Sequence, residues 1–159
     1  MEPLQTDLRP DQYRALAELR YQIRRFVHFS EQAARAAGIE PQQHQLLLAI
    51  RGHPSGQEPT VGELAERLHL QHHSTVELVD RAEAQGLVRR RRGEADRRQV
   101  FVGLAPRGEA LLHQLSLEHH AELRSSGPML ARALAALTGS TCPPPDAADS
   151  AHEMERPQA

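Results

Sequence analysis

The chain has 159 residues, enough for one compact domain with trimmings; 39% are hydrophobic but only 3% aromatic, with no Trp, so Leu, Val and Ala must build the core, which favours helices. Net charge is −2, all 19 basic residues are Arg, and the single cysteine, Cys142, excludes a disulfide framework. No apolar run reaches the roughly 18 residues of a membrane span and the start lacks a basic-then-apolar leader pattern, so no membrane partner and a cytoplasmic, prokaryotic location are expected.

Met1 to Pro10 reads as a loose start. Asp11 is then the expected cap of a helix to about Ala37, with Tyr13, Leu16, Leu19, Ile23, Phe26 and Ser30 at three- and four-residue steps and Gly38 as its stop. At 1.5 Å per residue that helix spans about 40 Å, long for so small a domain, and a helix that outgrows its own core packs against a partner chain. Pro41 fits the first position of a second helix to Arg51, with Leu46, Leu47 and Ile50 inward. Gly52 to Pro59 is a loop. Thr60 and Glu63 form a capping box for a short helix whose inner face is Val61, Leu64, Ala65 and Leu68. His69 to Gln71 turns the chain into a helix from His72 to Gln85, with Thr75, Leu78, Val79 and Ala82 inward and Gly86 ending it.

Two strands follow, Leu87 to Arg92 and Gln99 to Leu104, joined by the polar turn GEADRR. Val100, Val102 and Leu104 alternate onto one face. Charge is segregated here: Arg89 to Arg92, Arg97, Arg98 and Arg107 stand against Glu94 and Asp96. Such a local basic stripe matters more for polyanion binding than the total charge does. A solvated face is the plain alternative, but Arg89 and Arg91 must point one way and Arg90 and Arg92 the other. One pair is expected to brace the helices through Asp80 or Glu83, the other to face phosphate. A helix then starts near Pro106 with Leu111, Leu112, Leu115 and Leu123; Gly127 and Pro128 are expected to break it before a last short helix carrying Met129, Leu130, Ala133, Leu134 and Leu137. Beyond Gly139 the composition is that of a disordered tail.

Helix, turn, helix and an Arg-bearing hairpin, in that order, make a winged helix-turn-helix, and the fold class is mainly α with a small β-hairpin wing. Leu64 to Leu68, Leu78-Val79-Asp80-Arg81, Gly86-Leu87-Val88, Asp96-Arg97-Arg98 and Leu104 followed by Gly108 resemble the multiple-antibiotic-resistance-regulator (MarR) family over roughly Asp11 to Leu137. The resemblance implies a homodimeric, ligand-responsive transcriptional repressor on double-stranded DNA, with a pseudo-palindromic operator. It implies an N-terminal dimerisation helix in 1–37, a DNA-binding winged helix in 38–104, C-terminal dimerisation helices in 105–138 and a tail in 139–159. The helix from His72 would enter the major groove and the Asp96–Arg98 tip would lie near the minor groove.

The residues suit that chemistry. Gln71, His72, His73, Ser74, Val76 and Glu77 occupy the part of a recognition helix that reaches base edges. His and Ser can donate or accept, Val76 can touch a thymine methyl and Glu77 can accept from cytosine N4. Arg97 and Arg98 carry permanent charge to the tip, with Asp80 and Asp96 as support. Arg81 either holds phosphate or pairs with Asp80 or Asp96. The family often has a basic residue at Glu77 and Thr at Ala105. By resemblance, a small aromatic or anionic effector would sit in a cleft, with Tyr13, His28, Phe29, Arg24 and Arg25 as candidates.

Neither a metal nor a cofactor is expected. His113 and His120 share a helix face two turns apart, while His119 points about 100° away, and zinc needs three or four ligands in tetrahedral array. The histidines, including His69, are read as exposed. A His-based metal-sensing regulator and a winged-helix protein-interaction module are the alternatives. No nucleophile–base pair or Gly-rich phosphate loop is present, since adjacent His73 and Ser74 cannot face each other on a helix, so an enzyme is not expected. Cys142 reads as incidental.

Overall fold

The structure is a computed structural model describing residues 8–94 and 96–139. The expected disordered tail and Cys142 lie outside the described residues. Five helices and one hairpin follow in the order α1 (Pro10–Ala36), α2 (Pro41–Arg51), α3 (Val61–Leu68), α4 (His72–Ala84), β1 (Val88–Arg92), β2 (Val100–Leu104) and α5 (Pro106–Thr138). No helix among the described residues is long and apolar enough to cross a membrane.

Two compact units are present. One comprises the described residues of Met1–Val27 and Ala121–Ala159, and the other is His28–His120. The second holds the main core. Leu46, Leu47, Leu64, Leu78, Val79, Leu87, Val102 and Leu115 are all buried there, so α2, α3, α4, the hairpin and α5 enclose one apolar centre. In the first unit Ala133 and Gln22 are buried, and Arg25 pairs with Glu122 at 3.6 Å.

The helix ends follow local chemistry. α1 opens on Pro10, whose missing N–H is one of the orphans anyway. Gln12 Oε1 accepts the Arg9 backbone N–H at 2.8 Å. Asp11 is therefore not the cap: it is a first-turn carboxylate, paired with Arg9 at 3.3 Å. After α1, Gly38 adopts φ 81°, and Ile39 N–H reaches back to the Ala34 carbonyl at 3.1 Å, the six-to-one closure that a left-handed C′ residue permits. The box on α3 is complete: Glu63 N–H donates to Thr60 Oγ1 at 3.3 Å and Thr60 N–H to Glu63 Oε2 at 2.7 Å. Those donors, Thr60's backbone first, hold the Glu63 carboxyl below its ordinary pKa. His69, at φ 53°, makes the left-handed corner between α3 and α4.

The hairpin is antiparallel, with Val88 opposite Leu104 and Arg90 opposite Val102. Val102 N–H donates to the Pro59 carbonyl at 2.8 Å, and Thr60 bridges Phe101, so the loop before α3 covers an edge of β2. A Cβ on Gly108 would collide with the Leu87 carbonyl, which is why the start of α5 can pass so close to the hairpin.

Gly127 and Pro128 do not break α5, which runs unbroken through them, so the two expected C-terminal helices are one. Proline removes a single N–H and crowds one carbonyl. Here helical spacing continues past it, with Leu130 and Leu137 half-buried and Ala133 buried.

Candidate nucleic-acid interface

Four of α4's residues face the core: Thr75, Leu78, Val79 and Ala82. This leaves Gln71, His72, His73 and Glu77 exposed, with Ser74 and Val76 half-buried beside them. At the wing tip Asp96 Oδ1 accepts the Arg98 N–H at 2.9 Å, and Gln99 N–H donates to the Asp96 carbonyl at 3.1 Å. Gly93 closes that turn; a Cβ there would stand 2.6 Å from the Asp96 carbonyl oxygen. Arg97 and Arg98 project exposed from it. A groove of about 460 Å³ joins the two elements, lined by Thr60, His72, Val76, Arg98 and Val100 among others. The helix start and the wing tip thus share one surface of the second unit.

The arginine run divides as alternation requires, and the bracing side finds the expected carboxylates, Asp80 and Glu83. Arg90 braces the wing against α4: Nη2 donates to Asp80 Oδ1 at 2.6 Å and to the Val76 carbonyl at 3.3 Å, and Nη1 to Glu83 Oε2 at 2.8 Å. Its backbone N–H also donates to Glu83 Oε1 at 3.0 Å. Arg89 and Arg91, on the opposite face, converge on Glu58, at 2.7 and 3.4 Å, rather than standing free for phosphate. Arg91 also lies 5.1 Å over the Phe101 ring. Arg92, Arg97 and Arg98 have no ion pair among the described residues. Arg81 pairs with neither Asp80 nor Asp96; it reaches Glu40, just before α2, at 3.4 Å. Glu58 and Glu40 escaped the sequence reading. Each is a lone loop carboxylate far along the chain from its arginines, and the only available signal was its charge opposite an Arg run.

The histidines are not uniformly exposed. His113 and His120 are, but His119 is half-buried. Its Nδ1 lies 2.6 Å from the Leu115 carbonyl and its Nε2 2.8 Å from Ser30 Oγ, so both ring nitrogens are engaged. His44 is buried, its ring 4.7 Å from that of His119. Burial first, and His119 second, push the His44 imidazole down to about 4. Among the described residues no group of His, Cys, Asp and Glu is arranged to hold a metal ion. Of the candidate effector residues, Tyr13, Arg24 and Arg25 belong to the first unit, and His28 and Phe29 to the second. Phe29 stands edge-on to His119 at 5.3 Å.

A family model described as MarR family matches residues 37–99. An uncharacterized HTH-type transcriptional regulator, YsmB of Bacillus subtilis (strain 168), is 35% identical over 65 residues, which is 41% of this chain and 44% of that protein. The chain thus spans less than half the length of the curated relative it matches. Among solved structures, AbsC, a MarR family transcriptional regulator from Streptomyces coelicolor, aligns over 76% of this chain and 80% of its own with TM-score 0.65 and 22% identity. A MarR family protein from Bacillus stearothermophilus gives 0.56 at 29% identity, over 71% of this chain and 79% of that one. A mutant of MarR from E. coli complexed with operator DNA gives 0.60 at 22% identity, over 76% and 85%.

Proposed function

We propose, from the premise that residues 37–99 are a MarR-family winged helix, that this chain is a DNA-binding transcriptional regulator rather than an enzyme. It works in the cytoplasm as a homodimer that represses by occupying a pseudo-palindromic operator. The observation that carries this reading is the groove shared by His72 and Arg98, which aims a recognition helix and a cationic tip at one ligand. A helix in a major groove with a basic loop beside it is the docking geometry of this motif. The E. coli MarR mutant of similar fold was solved with operator DNA. In this reading Gln71, His72, His73, Ser74, Val76 and Glu77 meet base edges, and Arg97 and Arg98 meet phosphate. Arg81, held by Glu40, positions α4. Asp80 and Asp96 support the wing.

The apolar residues left exposed on α1 and α5 support the homodimer. Tyr13, Leu16, Ile23 and Leu134 are each at least two-fifths exposed. A small aromatic or anionic effector relieves repression, with Tyr13, Arg24 and Arg25 of the first unit, or His28 and Phe29 of the second, as the candidates to contact it.

A gel shift on the duplex upstream of the chain's own gene tests the reading. Retention should weaken steeply with salt, by a log–log slope of about −0.9 per phosphate neutralised. Arg98→Ala should weaken binding and make that slope shallower. A duplex not retained even at low salt removes the regulator reading. An unchanged Arg98→Ala removes the wing from it.

A further inference from the structure

Four ionised side chains stand on α4: Glu77, Asp80, Arg81 and Glu83. Three are already matched within the protein. Asp80 and Glu83 hold Arg90, and Arg81 holds Glu40. Glu77 is exposed and makes neither an ion pair nor a hydrogen bond among the described residues. It follows His73 by four positions and precedes Arg81 by four, so it lies on the outward face that carries His73, one turn from the helix start. No free arginine lies on that helix to offset it. On the hairpin, by contrast, Arg92, Arg97 and Arg98 make no ion pair among the described residues.

A bare carboxylate on a surface meant for a polyanion repels every phosphate it passes, so it weakens binding to any duplex. It becomes favourable only where a donor meets it. In the major groove the donors are the exocyclic amines of cytosine and adenine. Guanine offers two acceptors there, and thymine an acceptor and a methyl, so both leave a desolvated carboxylate without a partner. Adenine sets its N7 acceptor beside its amine, which repels the second carboxylate oxygen, whereas cytosine offers the amine with no acceptor of its own alongside.

From this chemistry, and resting on the DNA reading above, we infer that Glu77 is a specificity-determining residue. It selects cytosine at one position of each operator half-site by accepting a hydrogen bond from the cytosine 4-amino group. The wing tip then supplies attraction that is blind to sequence, while the recognition helix gives up some attraction in exchange for discrimination.

Selection from a duplex library with randomised half-sites, using the full chain, tests this base by base. The wild-type chain should enrich cytosine at one position per half-site, with other bases there binding about tenfold more weakly or worse. Glu77→Ala should flatten that position alone and raise affinity for unrelated duplex. Glu77→Gln should move the preference from cytosine to adenine, because an amide can donate to N7 while accepting from N6. A side chain with a merely structural role would not change which base is chosen. Glu77 touches no other described side chain through a polar contact, so both variants should keep the wild-type circular dichroism. If the wild-type chain enriches a half-site in which neither variant alters any position, or one lacking the cytosine, the inference is overturned and the regulator reading stands. If it enriches no sequence at all, the regulator reading falls as well.

Discussion

His44 is 4% exposed on α2, and an imidazole so placed resists charging. Its ordinary pKa of 6.5 falls to about 4, through desolvation and then through the His119 ring beside it. Between pH 6.5 and 4 the unfolded chain binds a proton there that the folded chain refuses, so stability is full above the unfolded value and declines as pH falls toward the folded one. The total loss is about 3 kcal/mol. Urea midpoints measured at pH 7.5, 6 and 5 should therefore descend, and His44→Leu should flatten much of the descent. A variant whose midpoints fall as steeply as the wild type's would place the acid sensitivity elsewhere. The Leu115 carbonyl can only accept, so His119 Nδ1 donates to it, while Nε2 lies against the Ser30 hydroxyl. None of this was legible in the residues alone. His44 looks like one more polar position before Leu46 and Leu47, and only the width of α2's buried face, which takes in Gln43 and His44 as well, shows that it is inside.

The wing is held from both faces at once. Arg90 ties one face to α4, and Glu58 gathers Arg89 and Arg91 on the other. Only a planar fork can serve Asp80, Glu83 and the Val76 carbonyl together; a lysine ammonium cannot span them. Arg90→Ala and Arg90→Lys should each lower stability by about 1–2 kcal/mol, as expected for part-exposed pairs with charge-assisted bonds. Operator affinity should fall further, since the tip loses its fixed relation to the recognition helix. The slope of affinity against salt should stay at its wild-type value, because no phosphate contact is removed. A shallower slope would show Arg90 on phosphate and defeat the bracing account. Alternation in the sequence was enough to assign the arginines to faces. It could not supply Glu58, 31 residues before Arg89, because that pairing exists only once the loop before α3 has folded along β2. The reverse holds at Pro128. There the local rule for proline gave a helix end, and the continuing apolar spacing on either side of it overrode the rule.

α1 and α5 both leave large apolar side chains exposed. On α1, Tyr13, Leu16, Tyr21, Ile23 and Val27 are exposed, and on α5, Leu117, Leu123, Met129 and Leu134. Single exposed leucines are ordinary, but on α1 Leu16, Ile23 and Val27 share one face, which supports the proposed contact with a second copy. The excess length of the first helix is what raised the expectation of a partner chain from the sequence, whereas which faces would meet was not legible, since one chain's periodicity does not say. In the homodimer proposed above, a second copy would supply complementary helices and would bring two recognition helices to two half-sites, the second contact being made at a high effective concentration. Light scattering on the full chain at micromolar concentration should accordingly give twice its 17.7 kDa. Leu16→Glu with Ile23→Glu should shift it to the monomer while the second unit, which contains neither residue, keeps its fold. Operator affinity should then drop by about a hundredfold or more, the gain that linkage of two sites adds. Binding to a single half-site should change little, because every proposed DNA contact lies in His28–His120. A double variant that remains a dimer would move the interface off α1, and one that is monomeric yet holds the full operator as tightly as before would mean that each chain reads DNA alone.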